Sequence, residues 1–304
     1  MEPPLTLDEP GRMLMGMIVR PLRVYVSPVF RRIGLMLLAA VVTLASPALP
    51  AGGQDAPATP EVAVTDRVAP VWDGTYRRIR VPILMYHYVS PLPENADEYR
   101  RELTISPDTF RAHLEYLFFE GFTPISLYDL DEALLTGREL PAKPVVLTFD
   151  DGYIDHYTHV FPLLKQYGFT GTFFIITGRV DARDPNYVSW EQVGEMAAAG
   201  MDMEPHTKNH VSLQGRDYDF LVYEMLGSIE SIKAHTGRQP HLFSYPVGQY
   251  DADTLAVART LPIWRAVTTA NGRYHTTDNR LEMPRVRITG GMSAPALASV
   301  LRGD

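Results

Sequence analysis

The chain of 304 residues contains no cysteine. That excludes disulfides, thiolate nucleophiles and cysteine-ligated zinc. Export without oxidative folding and a cytosolic life both remain open. There is no basic block, and the formal charge is −8, which argues against nucleic acid as a partner. A surface of this sign repels acidic polymers weakly and is indifferent to neutral ones. No glycine-rich dinucleotide signature, internal repeat or long low-complexity segment is visible. What is present, 45% hydrophobic and 21% charged residues, is ordinary for a soluble globular protein and sufficient for a large core.

The N-terminus is more specific. Arg20, Arg23, Arg31 and Arg32 precede the apolar run Ile33 to Ala45, followed by Ser46-Pro47-Ala48-Leu49-Pro50-Ala51. A positive region, a short apolar region and small residues describe a signal peptide over residues 1–51. The run is shorter than the ~20 residues that span a bilayer comfortably, and an uncleaved N-terminal membrane anchor is the alternative. Either reading places the protein outside the cytoplasm: secreted, periplasmic or held at the cell envelope. Residues 52–79, rich in Ala, Pro, Val and Asp up to about Thr75, read as a linker or tail. Residues 80–304 then form the main folded domain.

From Arg80 onward, short β-branched or aromatic runs alternate with helical patterns. Strands are predicted at Val81–Tyr86, Val145–Phe149, Thr172–Ile176, Met201–Glu204, Leu242–Tyr245, Trp264–Thr268 and Arg285–Ile288. Ser106-Pro107-Asp108 opens a helix as N-cap, N1 proline and first-turn acid, with Gly121 as its stop. Further helices are predicted at Trp190–Ala199, Tyr218–Thr236 and Ala294–Leu301. Regular β–α alternation with continuously apolar strands implies a parallel sheet covered by helices. About seven units make a closed or distorted barrel the preferred α/β architecture, with chemistry at the C-terminal strand ends.

Thr148-Phe149-Asp150-Asp151-Gly152 ends the strongest strand. Two adjacent carboxylates repel unless a cation compensates them, and one can then ligate while the other serves as a base. An exposed Asp-Asp-Gly turn is the plain alternative. His206-Thr207-Lys208-Asn209-His210 follows another strand, and two histidines four apart can share one face of a helical turn and one metal. Together the motifs supply an Asp–His–His set that leaves metal positions open.

TFDDG, then HTxxH, then a Pro–Gly turn on a later strand resemble the polysaccharide deacetylase family, the carbohydrate esterases sharing the NodB homology domain. Tyr86-His87, Leu147 to Tyr153, Trp190-Glu191, His206 to His210, Ser244 to Gly248 and Pro284-Arg285-Val286 fall in the family's order, over roughly Arg80 to Leu301. The resemblance implies a distorted (β/α)7-type barrel and a hydrolase that removes N-acetyl groups from an N-acetylglucosamine-containing polysaccharide: peptidoglycan, a chitin-like chain or poly-N-acetylglucosamine. It implies Asp150 as the general base on the attacking water. Asp151, His206 and His210 would hold a divalent metal cation, usually zinc, and the backbone N–H of Val247 would stabilise the oxyanion.

Two departures qualify the resemblance. Many members carry an arginine at the start of the Pro–Gly turn to orient the base; here Ser244 stands there, and Arg285 is the candidate to reach Asp150 instead. The usual late Leu-x-His motif is also missing, His275 lying outside any such motif. His87, ending the first strand, resembles the acid histidine of the circularly permuted branch and would protonate the leaving amine. Tyr153, Trp190, Tyr245 and Trp264 could form a sugar-stacking wall or simply pack in the core. With no separate binding module visible, Ser90–Leu103 and Gly178–Ser189 are the candidate recognition loops. A deacylase or amidase acting on a small or O-acetylated substrate, and a non-catalytic glycan binder, are the competing readings.

Overall fold

The computed structural model describes residues 66–302; the leader at 1–51 and most of the linker lie outside them. Seven parallel strands make the central sheet: β1 (Ile83–Tyr86), β2 (Pro144–Phe149), β3 (Thr172–Ile175), β4 (Asp202–Pro205), β5 (Leu242–Ser244), β6 (Arg265–Asn271) and β7 (Met283–Arg287). Their order is β4-β3-β2-β1-β7-β6-β5. Each strand therefore lies beside its neighbours in sequence, β7 returns to β1, and only the β4/β5 seam lacks a ladder. This is the nearly closed (β/α)7-type barrel expected.

The seam is bridged by a side chain. Glu204 of β4 is buried, and its Oε2 accepts from the backbone N–H groups of His241 (3.1 Å) and Leu242 (2.9 Å), while Oε1 accepts from Tyr128 Oη at 2.7 Å. Backbone donors that a strand would have satisfied are thus satisfied by a carboxylate. Burial, then the charge of Asp202, pushes Glu204 up to about 8.

Strand periodicity sorts the side chains. Ile83, Val146, Phe174, Leu242, Val267 and Met283, one from each of six strands, share one cluster inside the barrel. Leu84, Tyr86, Leu147, Phe149 and Phe173, on the alternate faces, pack outward under the helices. Along β2 the inward column therefore continues Val146, Thr148, Asp150, and along β7 it runs Met283, Arg285.

The helices are α1 (Glu98–Leu103), α2 (Pro107–Phe119), α3 (Leu127–Thr136), α4 (Phe161–Tyr167), α5 (Thr177–Asp181), α6 (Trp190–Ala198), α7 (Tyr218–Thr236), α8 (Ala252–Thr260) and α9 (Ala294–Arg302). Ser106 caps α2 by accepting from Thr109 N–H, with Pro107 at N1. Sequence reading passed over α3 and α8, although each carries a capping box, Ser126 with Asp129 and Asp251 with Thr254. The end of the stretch read as a linker is tied to this body. Arg67 pairs with Asp202 at 2.8 Å, and Arg78–Arg80 forms a strand antiparallel to Tyr274–Thr276.

Candidate active site

Four of the strands end in chemistry-bearing residues at the same mouth of the barrel. His87 follows β1, Asp150 and Asp151 follow β2, His206 follows β4, and the Tyr245–Gly248 turn follows β5. Asp150, being in the inward register, points into the barrel; the next residue cannot do the same on an extended chain. Asp151 solves this by adopting φ 79°, followed by Gly152 at φ 76°. Among the described residues five non-glycines have positive φ, and four are here: Asp151, Thr207 (63°), His210 (54°) and Val247 (52°). Backbone strain of this kind persists where surrounding structure enforces it, and it clusters at functional sites.

The two histidines converge, but not on a helical turn as their spacing suggests. Residues 206–210 form a non-helical loop with left-handed Thr207 and His210. His206 Nε2 lies 3.4 Å, and His210 Nε2 3.2 Å, from Asp151 Oδ1. Donor atoms of all three residues fall within 4.8 Å of one another.

Three observations fit this set to a cation. Asp151 Oδ1 is buried with no hydrogen-bond partner in the protein. His206 Nδ1 contacts the Ser244 carbonyl at 2.7 Å; a carbonyl can only accept, so Nδ1 carries the proton and Nε2 offers its lone pair. Burial draws His210 down to about 4, leaving it neutral as a ligand must be. Burial would raise Asp151, yet the contact with His206 and the neighbouring imidazoles hold it below the ordinary carboxylate range, and in the absence of a cation the Asp151 and Asp150 carboxylates draw His206 upward against its burial. Two nitrogens and one oxygen suit zinc and other first-row dications.

The loop that delivers the histidines is held by a residue the motifs did not reveal. Glu224 of α7 is 1% exposed, and its carboxylate accepts from Lys208 N (3.1 Å), Asn209 N (2.9 Å) and Asn209 Nδ2 (2.6 Å). From the other side, Gly178 N–H donates to the Lys208 carbonyl at 2.8 Å. A Cβ at Gly178 would stand 2.5 Å from that oxygen, so only glycine permits the approach. The sequence signal for Glu224 is its register: it falls with Leu221, Met225 and Ile232 on the apolar face of Tyr218–Thr236, where Asp219 and Glu230 do not.

Asp150 is gripped by Arg285. Nη1 donates to Oδ1 at 2.8 Å and Nη2 to Oδ2 at 2.6 Å, while Nε donates to the Thr268 carbonyl at 3.0 Å. Thr148 Oγ1 and Ser244 Oγ take the remaining guanidinium contacts, 3.0 and 3.2 Å. Arg285 is fully buried. Burial would raise Asp150, but the Arg285 charge and hydrogen bonds outweigh it and hold the group at about 2. Ser244 Oγ also reaches Asp150 Oδ2, at 3.4 Å.

His87 is 8% exposed, with Nδ1 unpartnered. Burial lowers it, while the charges of Asp151 and Asp150 act in the opposite direction, so it faces the same cluster. Val247 is half exposed at the centre of the Pro246–Gly248 turn. His275 is buried against the Val81 carbonyl, before β1 and hence at the far end of the barrel.

The four aromatics do not make one wall. Tyr245 is fully buried, stacked on Tyr250 at 4.5 Å, and Trp264 precedes β6 at the opposite end, stacked on His241 at 3.9 Å. Tyr153 and Trp190 stay at the mouth, each lining a cavity there.

A family profile for polysaccharide deacetylases matches residues 137–265. YxkH of Bacillus subtilis (strain 168), a protein assigned to the polysaccharide deacetylases, is 30% identical over 230 residues, 76% of this chain and 79% of its own. The poly-β-1,6-N-acetyl-D-glucosamine N-deacetylase of Escherichia coli (strain K12) is 32% identical over 136 residues, 40% of this chain but 20% of that longer protein. The Streptococcus pyogenes deacetylase PplD, solved with acetate, superposes with a TM-score of 0.69 at 30% identity, covering 74% of this chain and 99% of its own. Sequence, fold and the order of the site motifs thus agree, and the chain belongs to the polysaccharide deacetylase family, hydrolases acting on carbon–nitrogen bonds other than peptide bonds.

Proposed function

We propose that the protein is a metal-dependent hydrolase that removes N-acetyl groups from an N-acetylglucosamine-containing polysaccharide. The observation that carries this reading is the orphaned, buried Asp151 Oδ1 facing two imidazole nitrogens, with a second, ionised carboxylate beside it. Asp151, His206 and His210 would hold the dication, zinc by donor chemistry. Such an ion supplies Lewis acidity, making water a stronger acid and polarising a bound carbonyl.

The chain's own residues divide the proton work. Asp150 accepts a proton from the attacking water as its oxygen bonds to the acetamide carbon. The Arg285 charge and hydrogen bonds keep this carboxylate ionised, so its oxygens are available to accept that proton. Arg285 fixes its orientation by the two-pronged contact. The Val247 N–H, on a turn strained into place, donates to the developing oxyanion; one such donor is typically worth ~3 kcal/mol of barrier. His87 protonates the nitrogen as the C–N bond breaks, giving acetate and a free amine. General acids and bases of this kind contribute about 10²–10⁴ each.

The polymer preference is drawn from relatives that act on poly-N-acetylglucosamine and from the leader read in the sequence. That leader also supports action outside the cytoplasm, with or without N-terminal attachment. No helix among the described residues is long and apolar enough to cross a membrane.

Acetate release from chito-oligosaccharides, peptidoglycan and poly-N-acetylglucosamine, with and without a chelator, tests the proposal. Chelator-sensitive release from at least one is expected. Activity untouched by thorough metal removal, or release from small O-acetyl esters alone, overturns it. His87→Gln should lose turnover while zinc still binds.

A further inference from the structure

The proposed mechanism gives His156 no task, yet the residue is fully buried close to the acting groups. The rings of Phe149, Tyr153 and Phe173 enclose its imidazole, with centroids 5.8, 5.9 and 5.8 Å away. Its Nε2 lies 2.7 Å from the backbone carbonyl of His87. A carbonyl can only accept, so Nε2 carries the proton. Nδ1 has no partner in the protein. The single polar contact of this buried ring therefore reaches the residue that ends β1, 69 positions earlier in the chain.

The turn that carries His156 is not ordinary helix. His156–Val160 is a π-helical turn, in which Phe161 N–H donates to the His156 carbonyl. Pro162 follows at once, in the first turn of α4. In a regular α-helix that proline would clash with the Thr158 carbonyl, four residues back, and leave it without a donor. The wider turn accommodates the proline. Single π-turns of this kind recur at functional sites, and this one presents the imidazole to the end of β1.

His87 needs such a hold. A working histidine is ordinarily oriented by a partner on its second ring nitrogen, but Nδ1 of His87 is buried with no partner in the protein. No carboxylate or carbonyl fixes the ring from that side, so its direction comes from the backbone. On one side of its Cα, the Tyr86 carbonyl accepts from Asp150 N–H at 2.9 Å. On the other, the His87 carbonyl accepts from His156. The first bond uses main-chain atoms that any sequence would supply; the second depends on one side chain.

We infer that His156 is a positioning residue for the proposed general acid: it pins the His87 peptide so that the imidazole meets the departing nitrogen. The inference rests on the reading of His87 above and adds what keeps that side chain in place. In the step served, a proton passes from His87 to the nitrogen as the C–N bond breaks, and the electron pair of that bond stays on the nitrogen. Misplacing a reacting group by about 1 Å can cost ~10²-fold, so a buried tether on the peptide matters to rate without touching substrate.

An activated ester separates a misplaced acid from general damage, because the nitrophenolate of 4-nitrophenyl acetate leaves without needing a proton. His156→Phe keeps a ring among the three aromatics but cannot donate. With zinc-loaded enzyme it should lower kcat for an N-acetylglucosamine tetramer about 10–100-fold, with KM, zinc affinity and hydrolysis of the ester unchanged. His156→Gln, whose amide N–H can reach the same carbonyl, should recover most of the loss. If His156→Phe does not fold, His156→Met, flexible enough to fill the same space, decides the point with the same selective loss expected. Equal losses on amide and ester, a loss that follows zinc affinity, or no loss on either substrate overturns the role of His156. His87→Gln is the separate control. If it matches wild type on the tetramer, or loses both substrates equally, the acid reading of His87 falls and the positioning role falls with it.

Discussion

The barrel buries two arginine–aspartate pairs, and they are built differently. Arg285 and Asp150, at the C-terminal mouth, meet through two parallel hydrogen bonds, and every guanidinium nitrogen is engaged. Arg265, which begins β6, touches Asp131 of α3 through Nε alone; its Nη1 and Nη2, and Asp131 Oδ2, have no partner in the protein. The electrostatic outcome follows the hydrogen bonding. Asp150 is held down at about 2, whereas burial lifts Asp131 above its ordinary value in spite of the arginine beside it. Two aspartates each 2% exposed and each facing a buried arginine thus show opposite protonation tendencies, with His206 and His87 adding to the pull on Asp150. A buried pair keeps its charges only where neighbours satisfy them, and that satisfaction is concentrated at the carboxylate proposed as the base.

Breaking the first pair should have the largest effect. Arg285→Ala leaves Asp150 buried and uncompensated, and acetate release should fall by about 10²–10⁴, with Asp150→Asn in the same range. Full activity in Arg285→Ala would show that the contact does not serve the chemistry. Next in size is the loop clamp. Glu224→Gln replaces one acceptor oxygen by an amide donor facing the Lys208 and Asn209 donors. Zinc affinity, measured by chelator competition, should drop about 10–100-fold, while thermal stability without metal changes little. A large loss of that stability with unchanged affinity would make Glu224 a scaffold residue only.

The second pair supplies the converse experiment. Replacing both members, Asp131→Leu with Arg265→Met, should be neutral or stabilising by about 1–4 kcal/mol in urea unfolding, with activity retained. Marked destabilisation would mean that the unpaired atoms are better accommodated than their geometry shows.

The seam predicts a pH dependence rather than a loss of activity. Glu204 is held up at about 8 against an ordinary 4.5, so the folded state retains a proton that the unfolded chain releases. Its contribution is fully present below about pH 4.5 and fades as pH rises through 8. Unfolding free energy should therefore decline over that window by at most ~1.4 kcal/mol per pH unit from this group. Glu204→Gln should flatten the decline while preserving the seam. Parallel pH profiles for variant and wild type would remove Glu204 as its source.

Much of this was legible in the residues. Seven apolar strand runs spaced by helical patterns specify the barrel, and Ser106, Ser189, Gly168 and Gly237 stand at helix ends as their chemistry requires. The Asp-Asp-Gly and HxxxH motifs marked the candidate ligands only as a pair, since each alone has a plain structural alternative. The route by which the histidines converge was not legible: HxxxH spacing suggests a helix, and a left-handed loop does the work. The aromatic wall failed for a related reason. Tyr245 and Trp264 sit near strands as Tyr153 does, but strand direction places Trp264 at the opposite end and burial hides Tyr245.

By itself, then, the sequence determined the local elements and the identity of the donor atoms, because strand period, cap chemistry and side-chain functional groups are properties of short segments. Tertiary structure decided which groups meet: Arg285 with Asp150, Glu224 with the 206–210 loop, Glu204 across the seam. Those contacts join positions up to 135 residues apart. They depend on strand order, inward register and barrel closure, none of which any short stretch encodes.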